Sequence, residues 1–298
     1  METRRGLLLG AAAYAMWGLF PLYWPLLEPG GAVEILGHRI LWSAVFMVLL
    51  VLVAGYRPRI VALLHDRRAT GLLLTAAVVI TFNWGTYIWG VNNHHVVETS
   101  LGYFINPLVT VLMGVLLLGE TLRALQWLAV AVASAAVVVL AVDSGRPPWI
   151  ALALALSFGT YGLLKKQANA GAVESLTLET VALAPLAFGF LVVNSARGDG
   201  HFLGHGLGHA VLLIGTGVVT ALPLICFGGS ATRIPFTMLG LLQYIAPVLQ
   251  FLIGVAVRGE QMSTGRWAGF ALVWLALALF TVESLRHHRR TLAAAELA

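Results

Sequence analysis

The sequence predicts an all-α membrane protein of ten transmembrane helices built as two inverted five-helix repeats. Three observations carry that expectation. The 298 residues are 59% hydrophobic and only 10% charged, whereas soluble domains carry about a quarter charged residues. Apolar runs of helix length, about 20 residues as a bilayer requires, recur along the whole chain. One stretch also occurs twice: residues 101–120, LGYFINPLVTVLMGVLLLGE, align without a gap on residues 241–260, LLQYIAPVLQFLIGVAVRGE, 140 positions later. Pro107 falls on Pro247, Gly114 on Gly254 and Gly119-Glu120 on Gly259-Glu260, and the register still holds at Trp127 and Trp267. Fixed-period self-similarity is the mark of a structural unit used more than once.

The ten spans fall roughly at 6–27, 34–55, 70–91, 99–118, 124–142, 148–166, 174–194, 209–229, 237–257 and 265–284. The first follows the basic start METRR as a signal peptide would, but its apolar run continues through Trp24, long for such a leader, and it has a counterpart in the second half. It reads as a retained span. Between the spans lie turn-forming groups: Glu28-Pro29-Gly30-Gly31, Arg57-Pro58-Arg59, Gly145-Arg146-Pro147-Pro148 and Arg197-Gly198-Asp199-Gly200. The repeat also shows where span two opens, since Gly31-Ala32-Val33-Glu34 recurs as Gly171-Ala172-Val173-Glu174, and Trp17-Gly18 is answered by Phe158-Gly159. The expected units are residues 1–142 (spans one to five), 148–284 (spans six to ten) and a basic cytoplasmic tail at 285–298 that touches anionic lipid.

Five spans per unit is an odd number, so the second unit must enter the membrane from the side opposite to the first. Counting charges tests the orientation. With the N-terminus inside, 13 Lys and Arg lie in inner segments and four, Arg146, Arg197, Arg258 and Arg266, in outer ones, with Arg39 inside a span. That excess places both termini in the cytoplasm. The net charge of +5 and pI near 9.7 therefore set topology and do not point to nucleic acid. The single cysteine, Cys226, allows no internal disulfide and reads as a buried inert thiol. No cofactor motif occurs.

The ten inverted spans, Trp17-Gly18 in span one, the string GAVEILGHRILWS opening span two and LGLLQYIAP around Pro247 together resemble the EamA group of the drug/metabolite transporter superfamily, within it the RarD-type subgroup. The resemblance covers nearly the whole chain up to about Glu283. It implies a secondary transporter of small metabolites or drugs in the bacterial inner membrane and names no substrate.

Several residues could carry transport. Arg39 lies five positions after Glu34, about 7 to 8 Å down a helix, where a charge costs on the order of 2 to 3 kcal/mol and normally faces a cavity or a partner. Glu34, His38, Arg39, Trp42 and Ser43 share one half of that helix. Arg39 is expected to anchor an anion or dipole of the substrate, with His38 a candidate proton carrier; the structural alternative bonds Arg39 to Glu34, Glu179 or loop carbonyls. Glu179 occupies the repeat position of Arg39, so the two are expected to form a gate, paired in one access state and parted in the other. Asn83, Trp84 and Tyr87 form a polar and aromatic face on span three. In span one, Trp17 reads as a cavity wall and Trp24 as an interface-belt residue. Pro107 and Pro247 each free a carbonyl that must find a donor, and the polar neighbours Tyr103, Asn106, Gln243, Tyr244 and Gln250 mark corresponding kinks near mid-membrane, a sequence pointer to a transporter's binding site.

Weaker signals are the four-residue spacing of His201, His205 and His209, which could ligate zinc but sits in a glycine-rich segment, and the Gly-Glu pairs, which read as helix terminators. The site is thus expected to hold no metal. No phosphate-binding GxxxxGK[ST] occurs, so the energy source is expected to be a gradient, with protons a candidate partner beside the small-molecule substrate and the lipid bilayer. An enzyme acting on lipids inside the membrane would need acidic metal clusters or a Ser/His pair, and the scattered acids here do not supply them; a membrane sensor without flux is the third reading. Substrate, direction, coupling ion and oligomeric state are not encoded in any motif.

Overall fold

The computed structural model of the chain describes residues 2–118, 121–231, 233–234 and 242–296. Every regular element among them is a helix. α1 (Glu2–Gly18) meets the short α2 (Phe20–Tyr23) and a 3-10 turn (Trp24–Leu27) at a 41° bend. Pro21 and Pro25 explain the break, because each removes a backbone donor and crowds the preceding turn. The expected single span at 6–27 is therefore two differently directed pieces. α3 (Ala32–Val53), α5 (Arg67–Asn92), α6 (Val96–Leu118), α7 (Ala124–Ser144), α8 (Trp149–Ala168), α9 (Ala172–Ala196) and α10 (Gly206–Ala231) follow. α11 (Ile245–Leu252) ends in one π-helical turn, Ile253–Val257, and α12 (Thr264–Glu296) closes the chain.

Two further differences from the sequence expectation have local causes. The Arg57-Pro58-Arg59 turn is the start of a nine-residue helix, α4 (Arg57–His65), because a proline in a first turn costs no hydrogen bond and presets φ. The tail does not separate from the last span: α12 runs on to Glu296 through TLAAAE, residues of high helix propensity. The Gly119-Glu120 terminator and the first residues of LGLLQYIAP lie outside the described residues.

Six helices, α3, α5, α7, α9, α10 and α12, are long and apolar enough to cross a membrane, and the bent pair α1–α2 makes a seventh. Their outward faces carry exposed Val53, Val142 and Leu186, a surface suited to lipid rather than water. α3 packs against both α9 and α10, α8 against α5 and α6, α1 against α10 and α11, α6 against α11, and α7 against α12. Small residues set how closely these helices approach. A Cβ at Gly217 of α10 would fall on the Trp42 carbonyl of α3, and one at Gly269 of α12 on the Leu140 side chain of α7. Ala129, Ala133 and Ala136 present a buried small-residue stripe to Phe270, Val273 and Leu277, the packing that drives association where no hydrophobic effect operates between helices.

The loop before α12 is tied to α6 by Glu260, whose carboxylate accepts from the Val96 N–H at 2.5 Å and the Val97 N–H at 2.9 Å. A carboxylate there satisfies two orphan amides and faces the positive end of the helix dipole. Burial outweighs both bonds and pushes the Glu260 carboxyl above the usual carboxylate range. The folded protein then holds this proton more tightly than the unfolded chain, so the group's contribution to stability falls as pH rises from the ordinary carboxyl value to the raised one. Glu260→Ala is expected to cost about 1 kcal/mol, read as a lower melting temperature in detergent. The stability of Glu260→Gln relative to wild type should rise as pH climbs above the ordinary carboxyl value; a pH-independent difference would exclude the buried-carboxyl account.

Candidate functional site

The second span positions a charge deep inside the bundle. Its start is set by Gly31 as N-cap and by Glu34 in the first turn, and the identical string at Gly171 starts α9 in the same backbone conformation. Seven residues into α3, Arg39 is 4% exposed. Its Nε donates to the Thr220 hydroxyl of α10 at 3.0 Å. Its guanidinium lies over the Trp84 ring at 4.0 Å, with the Trp24 ring at 5.0 Å and the Phe20 ring at 5.7 Å. Such contacts hold a desolvated cation by the ring quadrupole. Among the described residues no carboxylate lies within ion-pair distance of it. Trp24 is fully buried beneath the cation rather than placed in an interface belt; the bend after Gly18 swings its segment inward.

α5 and α6 line the next side. Asn83 donates to the Leu154 carbonyl at 3.0 Å and the Ser157 hydroxyl at 2.8 Å, both on α8, and accepts from the Tyr103 hydroxyl of α6 at 3.4 Å. Three helices are pinned there by one amide whose partners are all protein groups. Tyr87 packs edge-on to Tyr103 at 5.6 Å, and its buried hydroxyl makes no hydrogen bond. Both tyrosines are near enough to Arg39 to interact with its charge.

Arg39 and Glu179 stand apart in this structure, each held by other groups. Glu179, 2% exposed, accepts from Lys165 Nζ at 3.0 Å and the Tyr161 hydroxyl at 3.0 Å, both on α8. Lys165 also donates to Ser175. Nor does Glu34 reach Arg39. Its carboxylate accepts from the His201 backbone N–H at 2.6 Å and lies 2.7 Å from His201 Nδ1, fastening the loop between α9 and α10 to the end of α3. That loop lays Phe202 on the His38 ring, centroids 4.9 Å apart, while His38 Nδ1 accepts from Trp42 Nε1 at 3.3 Å, which places a neutral ring's proton on Nε2. The histidine triplet serves this fastening. His209 Nδ1 lies 3.1 Å from the His201 carbonyl and Nε2 lies 3.0 Å from the Leu27 carbonyl, so the ring sits between the loop and the segment after α1. Among the described residues no group of three acidic, histidine or cysteine side chains could hold a metal.

The second copy of the opening motif divides its residues. Gln250 of α11, 3% exposed, donates to the Trp17 carbonyl at 3.2 Å, leaving its buried Oε1 without a hydrogen bond. Asn106 of α6 likewise keeps an unpartnered buried Oδ1. Pro107 sits half-buried in the interior of α6 and Pro247 is buried in α11. Tyr244 instead lines a shallow groove with Phe104 and Trp274, and Gln243 lies half-buried in the turn before α11. Trp17 packs with Tyr14 and Phe227, centroids at 5.2 and 5.8 Å. Thr220, Phe20, Tyr161 and Lys165 were not legible as partners: a hydroxyl or ring in an apolar run carries no positional signal, and Lys165 reads as loop charge because it closes a span.

Comparisons with known proteins agree with this architecture. The EamA-like transporter family pattern matches residues 4–142. The chain is 55% identical to a Streptomyces exfoliatus protein named RarD, over 100% of this chain and 94% of that one. It is 41% identical to Escherichia coli K12 protein RarD, over 97% and 98% of the two chains, and 43% identical to a Bacillus subtilis protein named as the uncharacterized transporter YojE, over 97% of each. One solved crystal structure superposes with a TM-score of 0.57 at 18% identity, covering 93% of this chain and 97% of the other, a likeness of fold.

Two outcomes follow from these partners. Lys165→Met leaves Glu179 buried with a single hydroxyl and is expected to cost about 3 to 5 kcal/mol, most of it recovered in Lys165→Met/Glu179→Leu; thermal melts of both variants decide this, and a double variant no better than the single refutes it. Glu34→Ala removes both acceptors of His201, so amide hydrogen exchange across residues 197–206 should quicken while exchange in α7 and α12 does not.

Proposed function

The chain belongs to the EamA-like transporter family, and from that premise we propose that it is a secondary transporter. It moves a small organic solute across the bacterial inner membrane by alternating access between two inverted five-helix halves, with both termini in the cytoplasm. In this reading α6, α8 and α11 join the seven spans picked out by length and apolarity, giving the order α1–α2, α3, α5, α6 and α7, then α8, α9, α10, α11 and α12. The observation that carries the reading is the helix neighbourhood. Exchange each span for its repeat counterpart and every principal contact maps onto another: α5–α8 onto α10–α1, α6–α8 onto α11–α1, and α3–α10 onto α9–α5, while α3–α9, α6–α11 and α7–α12 map onto themselves. Such a pattern is what two structurally equivalent halves related by an in-plane axis require.

The fastenings at the helix starts obey the same exchange. Glu34 at the start of α3 holds His201 in the segment after α9, and Glu174 at the start of α9 reaches Arg59, 3.6 Å away, in the segment after α3. Each half thus holds the other's trailing loop, one at each membrane face. Rocking would release one fastening and keep the other. Arg39, Trp84, Tyr87 and Gln250 line the path between them, and Glu34, His38 and Glu179 are the groups that could exchange protons. The relatives' names support transport rather than catalysis.

Purified protein screened by thermal shift against metabolites and antibiotics, followed by flux into liposomes for each hit, tests the reading. Uptake faster than in protein-free vesicles is expected, falling at least about tenfold in Arg39→Gln, as loss of a charge-assisted contact in the path implies. Ligands that bind but never move would establish a sensor instead. Proton coupling predicts pH-dependent uptake that becomes pH-independent on changing Glu34, His38 or Glu179.

A further inference from the structure

Around Arg39 the polar groups are unbalanced in one direction. The guanidinium uses only Nε, on Thr220, and among the described residues neither terminal amine donates to a protein group. Trp24 Nε1, whose ring stands 5.0 Å from the cation, is buried and makes no hydrogen bond. The Tyr87 hydroxyl, within electrostatic reach of Arg39, is also buried and unpartnered. All of these can donate, and no acceptor is supplied to them. An uncompensated buried charge and buried donors without acceptors are each expensive, and a guanidinium does not shed its proton to escape the cost.

The two acids that could neutralise it are committed elsewhere, Glu34 to His201 and Glu179 to Lys165. An arginine kept for structure would be expected on a carboxylate or on backbone carbonyls; this one has neither. From these donors and rings we infer that the Arg39 site binds the carboxylate of a small organic monoanion whose flat apolar body lies among the Trp84, Trp24 and Phe20 rings. This rests on the transporter reading and names its substrate class. A carboxylate supplies two oxygens with about four lone-pair sites in the planar geometry of the guanidinium fork. A dianion such as sulfate or a phosphate ester would bring a second charge, and among the described residues no other Lys or Arg stands beside Arg39 to meet it.

The test is a thermal-shift titration of detergent-purified protein at neutral pH with matched probes: benzoate against benzamide, phenylacetate against phenylacetamide, and sulfate alone. Saturable stabilisation by at least one acid is expected, with its amide and sulfate inactive. Arg39→Gln should weaken the acid at least about tenfold, and Arg39→Lys, which keeps the charge but loses the fork, by an intermediate factor. Tyr87→Phe removes only the hydroxyl and should weaken the acid several-fold while its ligand-free melting stays that of wild type. Without ligand, Arg39→Gln should melt no lower than wild type, since it removes an unpaired buried charge. Amides binding as tightly as acids, no acid binding, undiminished binding by Arg39→Gln, or its ligand-free melting falling well below wild type would each overturn the inference. Liposome flux of the same probes separates this from the transporter reading. Acids that bind through Arg39 without flux would sustain the site and sink transport, whereas flux of an uncharged solute untouched by Arg39→Gln would do the reverse.

Discussion

A cation enclosed by apolar helices has to be answered by something. Arg39 lies on a helix packed on one side against α9 and on the other against α10, so every rigid-body displacement of those helices changes its surroundings. Its one hydrogen bond comes from α10, and its rings come from α5 and from the inturned segment after α1. Four chain segments therefore meet at one charge. The bend at Gly18, the burial of Trp24 and the close approach of Gly217 to Trp42 can be understood as what it takes to bring rings and a hydroxyl, rather than a carboxylate, to that point. Cation–π contacts of about 2 kcal/mol in a desolvated setting lessen the burden without cancelling it, which leaves the site receptive.

The repeat position of Arg39 offers a contrast within the same molecule. Glu179 sits equally deep in its helix but meets an ammonium and a phenol from α8. A satisfied buried pair is costly to break from one side and resists rearrangement. One half thus carries a closed electrostatic account and the other an open one, and the duplicated scaffold hosts two different electrostatic roles at equivalent places.

Much of this was legible in the sequence. The helical content follows from composition and run length, and the 140-residue repeat foretold that α3 and α9 start alike. Arg39, Asn83, Tyr87 and Gln250 were identifiable because a polar group in an apolar run must be answered somewhere. What answers it was not legible. Thr220 lies 181 residues away from Arg39 and looks like any helix threonine, and His201 appeared as one of three histidines in a metal-like spacing when its real partner is Glu34, 167 residues earlier. The partners of Glu179 were hidden for a related reason: equivalence by repeat says where a residue stands in its own half and nothing of which neighbour reaches it first. The bend of the first span was written in Pro21 and Pro25, and the length of its apolar run concealed it.

The two loop fastenings stand at equivalent helix starts and differ in geometry and in partner. Arg59 reaches Glu174 through a single 3.6 Å contact from a largely exposed side chain, where an ion pair contributes little. His201 instead offers Glu34 both its backbone N–H at 2.6 Å and its ring Nδ1 at 2.7 Å, from a partly buried position. Equivalent helix starts thus hold their loops with unequal firmness, one a latch and the other a slack tether.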